Sequence, residues 1–206
     1  MPNGLECLEE KLAEIEQTTM RIKPLYSLTI KHEENTANYA RKIIAALGLE
    51  EAEAIVLGAR FHDIGKTTWR QQLYIKNFNE NEKKKYKDTH NLKGLGIIKK
   101  VASELEVEEQ DAEQLKVVFD VVKYHHERYD GDTKCKYYAY PGERDDGGIP
   151  LAAKITTVAD HFDAMTNKRP YRSRAFTKDE ALAALILKKE TEYDPQIVDV
   201  FVSLMS

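Results

Sequence analysis

Cysteine is nearly absent: Cys7 and Cys135 are the only two in 206 residues, far apart and without CxxC spacing. That usage argues against a disulfide framework and a thiolate zinc site, and fits a reducing compartment. No Gly/Ser/Pro-rich stretch or shift of composition divides the chain, and its length suffices to bury one sizeable core, so one main domain is expected. No eighteen apolar residues stand together, and the acidic, amphipathic start lacks a basic segment followed by an apolar run. Neither a membrane span nor a secretory leader is indicated, and the expectation is a soluble, cytoplasmic protein. Neither sign of charge dominates: 31 Lys and Arg face 35 Asp and Glu, for a net charge of −4. That balance leaves no global basic surface for long nucleic acid, so a phosphate-bearing small substrate would need a local positive site. Also missing are Gly-x-Ser-x-Gly, a phosphate-cradling glycine loop and a catalytic cysteine setting, so the sequence offers no protein nucleophile.

Alternating strand patterns and internal repeats are scarce as well, and the expected architecture is all-α. Leu5, Leu8, Leu12, Ile15 and Ile22, with Thr19 filling the gap, step by threes and fours as a helical heptad stripe. The stripe could pack on its own domain or make a homodimer with a second copy. Helices are then expected over Thr29 to Leu47, ending at Gly48, and over Glu50 to Asp63, ending near Gly65. Short helices follow around Trp69 to Ile75 and Glu80 to Lys87, and longer ones over His90 to Leu105 and Asp111 to His126. Arg128 to Gly148, rich in Asp-Gly, Pro-Gly and Gly-Gly pairs, reads as a long loop. Pro150 suits the first turn of a helix reaching about Asn167. Thr177 with Glu180 forms a capping box for Lys178 to Thr191, and a last helix starts at Pro195.

Against this helical background, five of the six histidines join two aspartates in an ordered set: His32, His62, Asp63, His90, His125, His126 and Asp160. Imidazole and carboxylate groups on a rigid frame are what a hard or borderline divalent ion needs, and this set is large enough for two ions. His62 and Asp63 diverge by about 100° around a helix, yet from a helix end both can reach one cavity. Asp160 lies roughly 200° from Val158, away from the apolar stripe Leu151, Ile155, Val158, Phe162 and Met165. His161, next to Asp160 but on another face, falls outside the set. Any one of these residues alone would be an ordinary surface or core residue; the ordered set is not explained that way.

Phe61-His62-Asp63-Ile64-Gly65-Lys66, His125-His126-Glu127-Arg128-Tyr129-Asp130-Gly131, Ile149-Pro150-Leu151, Val158-Ala159-Asp160, Phe162-Asp163-Ala164-Met165-Thr166 and Arg169-Pro170-Tyr171-Arg172 resemble the HD-GYP subfamily of the HD-domain metal-dependent phosphohydrolases. The likeness runs from about His32 to Phe201, so residues 23–206 read as the phosphohydrolase domain and 1–22 as an added amphipathic helix. The resemblance implies an HD-domain helical bundle with a long loop after the His-His helix. It also implies one ion on His32, His62, Asp63 and Asp160, and a second on His90, His125 and His126 with Asp63 shared. Iron or manganese are the metals it implies. Lys66 resembles the family lysine that contacts substrate phosphate, and Asp63 and Lys66 are the implied catalytic pair. The implied activity is hydrolysis of a cyclic dinucleotide, cyclic di-GMP first, by metal-activated water. Other HD-type readings are a nucleotidase or phosphatase on mononucleotides and a non-catalytic metal-binding signalling module.

Two positions depart from the family pattern. Leu28 stands where three-metal members carry glutamate, so two ions are expected. Asp132 to Ala139 intervene before Ala139-Tyr140-Pro141, which replaces Gly-Tyr-Pro, so the recognition loop is altered. Among smaller features, Arg169 and Arg172 are candidate phosphate contacts or structural ion-pair partners. Lys134, Lys136, Arg144, Tyr137, Tyr138 and Tyr140 in the loop could meet a nucleotide or simply be solvated or packed down. Glu127 is expected to orient a neighbouring ligand.

Overall fold

The computed structural model describes residues 3–50, 52–74, 89–107, 111–132, 148–168 and 174–206, and these residues form eight α-helices and three 3-10 turns. The helices are α1 (Gly4–Ile22), α2 (Ser27–Leu47), α3 (Glu53–Arg60), α4 (His90–Glu104), α5 (Ala112–Tyr124), α6 (Leu151–Thr166), α7 (Lys178–Leu187) and α8 (Pro195–Met205). The turns are Pro24–Tyr26, Ile64–Thr68 and Gln71–Tyr74. No strand forms among the described residues; Lys189 and Tyr193 make one isolated bridge. No described helix is long and apolar enough to cross a membrane. The expected helix Glu80 to Lys87, positions 133–147 of the long loop, Arg169 and Arg172 lie outside the described residues.

Local chemistry sets most helix ends. Asn3 accepts from the Glu6 backbone N–H while Glu6 accepts from that of Asn3, a capping box that starts α1. The box at Thr177 and Glu180 opens α7 in the same way, and Asp194 caps α8 ahead of Pro195. Gly48 ends α2 in the left-handed region, φ 64°, where a side chain would be strained. α7 stops at Leu187, shorter than expected.

The helix expected to reach Asp63 stops earlier, at Arg60. Phe61 leaves helical geometry at φ −123°, ψ 20°, and His62 and Asp63 sit in the turn that follows. Gly65 is therefore no helix cap. A Cβ built on it would fall deep inside the His90 carbonyl and 2.7 Å from the Gly94 nitrogen, so Gly65 exists to let the turn lie against the start of α4. Gly65→Ala is expected to cost at least about 1–3 kcal/mol through forced displacement of α4 and His90. Urea unfolding checks it; a wild-type midpoint would mean the turn and α4 are not pressed together.

Among the described residues the two larger of three apolar clusters carry the fold, and α3 contributes to both. Ala59 joins Ile43, Ile44, Ile155, Val158, Phe162, Leu185, Val198 and Phe201 on one side. Ala54, Leu57 and Phe61 join Leu8, Leu12, Ile98, Val118 and Val122 on the other. The turn carrying His62 and Asp63 thus leaves α3 where two packed cores meet, which gives it the rigidity a ligand site requires. The stripe of α1 finds its partner here too. Leu5, Leu8 and Leu12 are buried against the chain's own core, while Ile22 is 71% exposed. Of the two partners open to the stripe, its own domain takes these three leucines, which close the second of these clusters.

Candidate metal centre

Five elements meet at the junction of the cores. α2 supplies His32, the turn after α3 supplies His62 and Asp63, α4 supplies His90, the end of α5 supplies His125 and His126, and α6 supplies Asp160. All seven come together. One ligand atom each from Asp63, His90, His125 and His126 lies within 4.8 Å of the others, and the same holds for His32, His62 and Asp160. Asp63 faces both groups: its Oδ1 is 3.1 Å from His90 Nε2, and its Oδ2 is 3.5 Å from His62 Nε2 and 3.8 Å from His32 Nε2. Asp160 Oδ1 is 2.8 Å from His32 Nε2 and 3.8 Å from His62 Nε2. His90 and His126 bring their Nε2 atoms to 3.1 Å.

The backbone decides which nitrogen each central imidazole presents. His62 Nδ1 is 2.8 Å from the Ala59 carbonyl, and His125 Nδ1 is 3.0 Å from that of Val122. A carbonyl can only accept, so Nδ1 carries the proton in both rings and Nε2 keeps its lone pair. Both Nε2 atoms are buried and have no hydrogen-bond partner. Orphaned acceptors of this kind cost stability unless something electrophilic sits before them. A divalent cation is what fits two bare imidazole nitrogens beside two buried carboxylates.

Electrostatics agree with that donor set. Burial pushes the His62, His125 and His126 imidazoles below their ordinary range, and the neighbouring histidines push His125 and His126 further, so all three favour the neutral, ligating form. Burial would raise the Asp63 carboxyl, but Lys66, His62 and His90 together hold it well below the usual carboxylate range. For Asp160, burial is likewise outweighed by His32 and His62. Lys66 Nζ pairs with Asp63 Oδ2 and stands 5.3 Å from the Trp69 ring centroid. Leu28 is half exposed and offers no donor atom.

Three supporting residues were not singled out as functional in the sequence. Asp163 is buried, its Oδ2 2.6 Å from His32 Nδ1, while its Oδ1 accepts from Asn35 at 2.8 Å and from Asn167 at 2.6 Å. Its place three residues after Asp160, like that of Asn35 after His32, puts each pair on one helix face, a spacing that could have found them. Glu33 accepts the Asp63 backbone N–H at 3.1 Å. Burial drives the Glu33 carboxyl well above its ordinary range, with the nearby Glu16 adding to the rise and Arg60 opposing it. His161 is the third. It joins His126 and Asp160 in a further cluster of ligand atoms within 4.8 Å, which corrects its placement on an unrelated face. Glu127 is buried beside Thr157, Glu192 and Tyr193.

Asp163 gives a direct test of how the site is held. Asp163→Asn keeps shape and burial but removes the charged acceptor that fixes the His32 ring, and is expected to weaken metal retention by about 10–100-fold. Competition with a graded chelator measures it; unchanged retention would mean His32 is held by packing alone.

The sequence profile of the HD domain family matches residues 17–197. A cyclic di-GMP phosphodiesterase response regulator of Xanthomonas campestris is 32% identical over 170 residues, covering 81% of this chain and 40% of that protein. A 3'3'-cGAMP-specific phosphodiesterase of Vibrio cholerae is 24% identical over 172 residues, covering 82% of this chain and 30% of that one. The chain thus spans less than half the length of these curated relatives. Among solved structures, an HDG"Y"P protein from Bdellovibrio bacteriovorus superimposes with a TM-score of 0.63 at 13% identity, covering 98% of this chain and 69% of the other, a likeness of fold.

Proposed function

This chain belongs to the HD domain family, and from that premise we propose that its histidine–aspartate cluster is the centre of a metal-dependent phosphodiesterase acting on a cyclic dinucleotide. One observation carries the reading: His62 Nε2 and His125 Nε2, buried and without hydrogen-bond partners, converge with Asp63 and Asp160 on the junction of the two cores. In this proposal His32, His62, Asp63 and Asp160 hold one divalent ion, and Asp63, His90, His125 and His126 hold a second, iron or manganese. Such ions lower the pKa of water toward neutrality and offset charge on a phosphoryl group. The residues of the chain supply the rest. The Ala59 and Val122 carbonyls fix two ligand tautomers, Asp163 fixes a third ring, and Glu33 pins the backbone at Asp63. Lys66, paired with Asp63, is placed to meet a phosphate oxygen, and Arg169 and Arg172 are proposed as further phosphate contacts.

The substrate class follows from the named activities of the relatives, two diesterases on cyclic dinucleotides. The full chain loaded with manganese or iron is expected to hydrolyse cyclic di-GMP or 3'3'-cGAMP and a generic aryl phosphodiester, and to lose both activities with chelator. Turnover of mononucleotides alone would replace the reading with a nucleotidase. Bound metal without any turnover would make the chain a binding module.

Asp132 to Ala139 carry no imidazole and begin the altered recognition loop, which supports a role in substrate choice apart from chemistry. Joining Gly131 to Tyr140 is expected to leave aryl phosphodiester hydrolysis within a few-fold while changing the preference among cyclic dinucleotides. Parallel loss of both activities would make the segment structural.

A further inference from the structure

His161 is the one histidine outside the seven-residue set, and its surroundings are those of a ligand. Its Nδ1 lies 2.9 Å from the hydroxyl of Tyr193, a buried residue. The Tyr193 hydroxyl can accept from Nδ1–H, and in that tautomer Nε2 presents its lone pair on the side of Asp160. The distance from His161 Nε2 to Asp160 Oδ2 is 4.0 Å. This is too long for a hydrogen bond, yet it suits two ligands of one ion with bonds of about 2.0–2.2 Å each. The other oxygen of Asp160, Oδ1, is the one directed at His32 and His62. The carboxylate therefore faces two directions, as a bridging ligand does. His126 closes the third side, its ring centroid 6.5 Å from that of His161. Glu192 and Lys188, charged groups that act on His161 from the adjoining segment, pair with each other at 2.9 Å.

We propose that His161 Nε2, Asp160 Oδ2 and the flank of His126 form an additional divalent-cation site at the rim of the centre. It takes a manganese-like ion whose remaining positions are filled by water or a substrate phosphate oxygen. The inference rests on the two-ion reading through Asp160, which serves both. His161 and His126 are half-buried, whereas His62 and His125 are fully buried. The rim site also has fewer ligands of its own, so its affinity is weaker than that of the inner positions by about tenfold or more.

Crystals of the full chain soaked at graded Mn(II) concentrations, with anomalous scattering, decide it. Two inner peaks at low Mn(II) and a third at His161 Nε2 at higher Mn(II) are expected. His161→Ala should remove the third peak alone. Two peaks at saturating Mn(II), or a third peak that survives His161→Ala, overturn the rim site and leave the two-ion reading standing; no peaks overturn both. Should His161→Ala fail to fold, Tyr193→Phe serves in its place. By freeing the imidazole it should lower third-peak occupancy at intermediate Mn(II), and unchanged occupancy counts against the proposal.

Discussion

Asp63→Ala is expected to empty the whole centre, whereas His62→Ala is expected to lower metal content only in part. The difference lies in reach. Asp63 lies between the two groups of candidate ligands, one oxygen toward His90 and the other toward His62 and His32, and a single imidazole has no comparable span. Losing a shared carboxylate removes charge from both positions at once. With several kcal/mol of charge stabilisation gone, hydrolysis is expected to fall by on the order of 10³-fold or more. Elemental analysis after reconstitution reads the first effect and aryl phosphodiester turnover the second. If Asp63→Ala retains as much metal as His62→Ala, Asp63 is not shared and the proposed arrangement fails.

Arg60→Met is expected to give the largest loss of stability. Arg60 Nη2 lies 2.7 Å from Glu16 Oε2, and Nη1 lies 3.8 Å from Glu33 Oε2; both glutamates are buried, and the arginine side chain is only 18% exposed. Tyr26 donates to the other oxygen of Glu16 at 3.2 Å. Removing the guanidinium that pairs with Glu16 and faces Glu33 leaves carboxylate charge uncompensated in the interior, a cost of about 3–5 kcal/mol. That is a large share of the roughly 5–15 kcal/mol that separates folded from unfolded domains. The loss should extend to the metal centre, because Glu33 holds the backbone N–H of Asp63. Urea unfolding measures the cost, and adding Glu16→Gln to Arg60→Met should restore most of it. A single mutant within about 1 kcal/mol of wild type would show that the network is already neutral without the guanidinium.

Much of this protein was determined by local sequence alone. Helix starts at Asn3 and Thr177 and the stop at Gly48 follow from short-range hydrogen bonding and backbone sterics, which need no tertiary partner. The seven candidate ligands stand out in the sequence because imidazoles and carboxylates in that order are hard to explain otherwise, and the fold brings them together. What required the fold were contacts between residues distant in sequence. The heptad of α1 has the same periodicity whether it faces a second copy or its own core, and only the apolar gap left beside α3, α4 and α5 decided for the core. α3 ends at Arg60 because the turn after it must lie against His90, a constraint set by a residue thirty positions away. Nothing in the local sequence marks Glu16, Glu33 and Arg60 as a group; three helices bring them together. His161 looked turned away by helical angle, but Tyr193 from the α7–α8 connection fixes its ring beside Asp160. Periodicity records which face a residue takes; what stands opposite that face is set by packing.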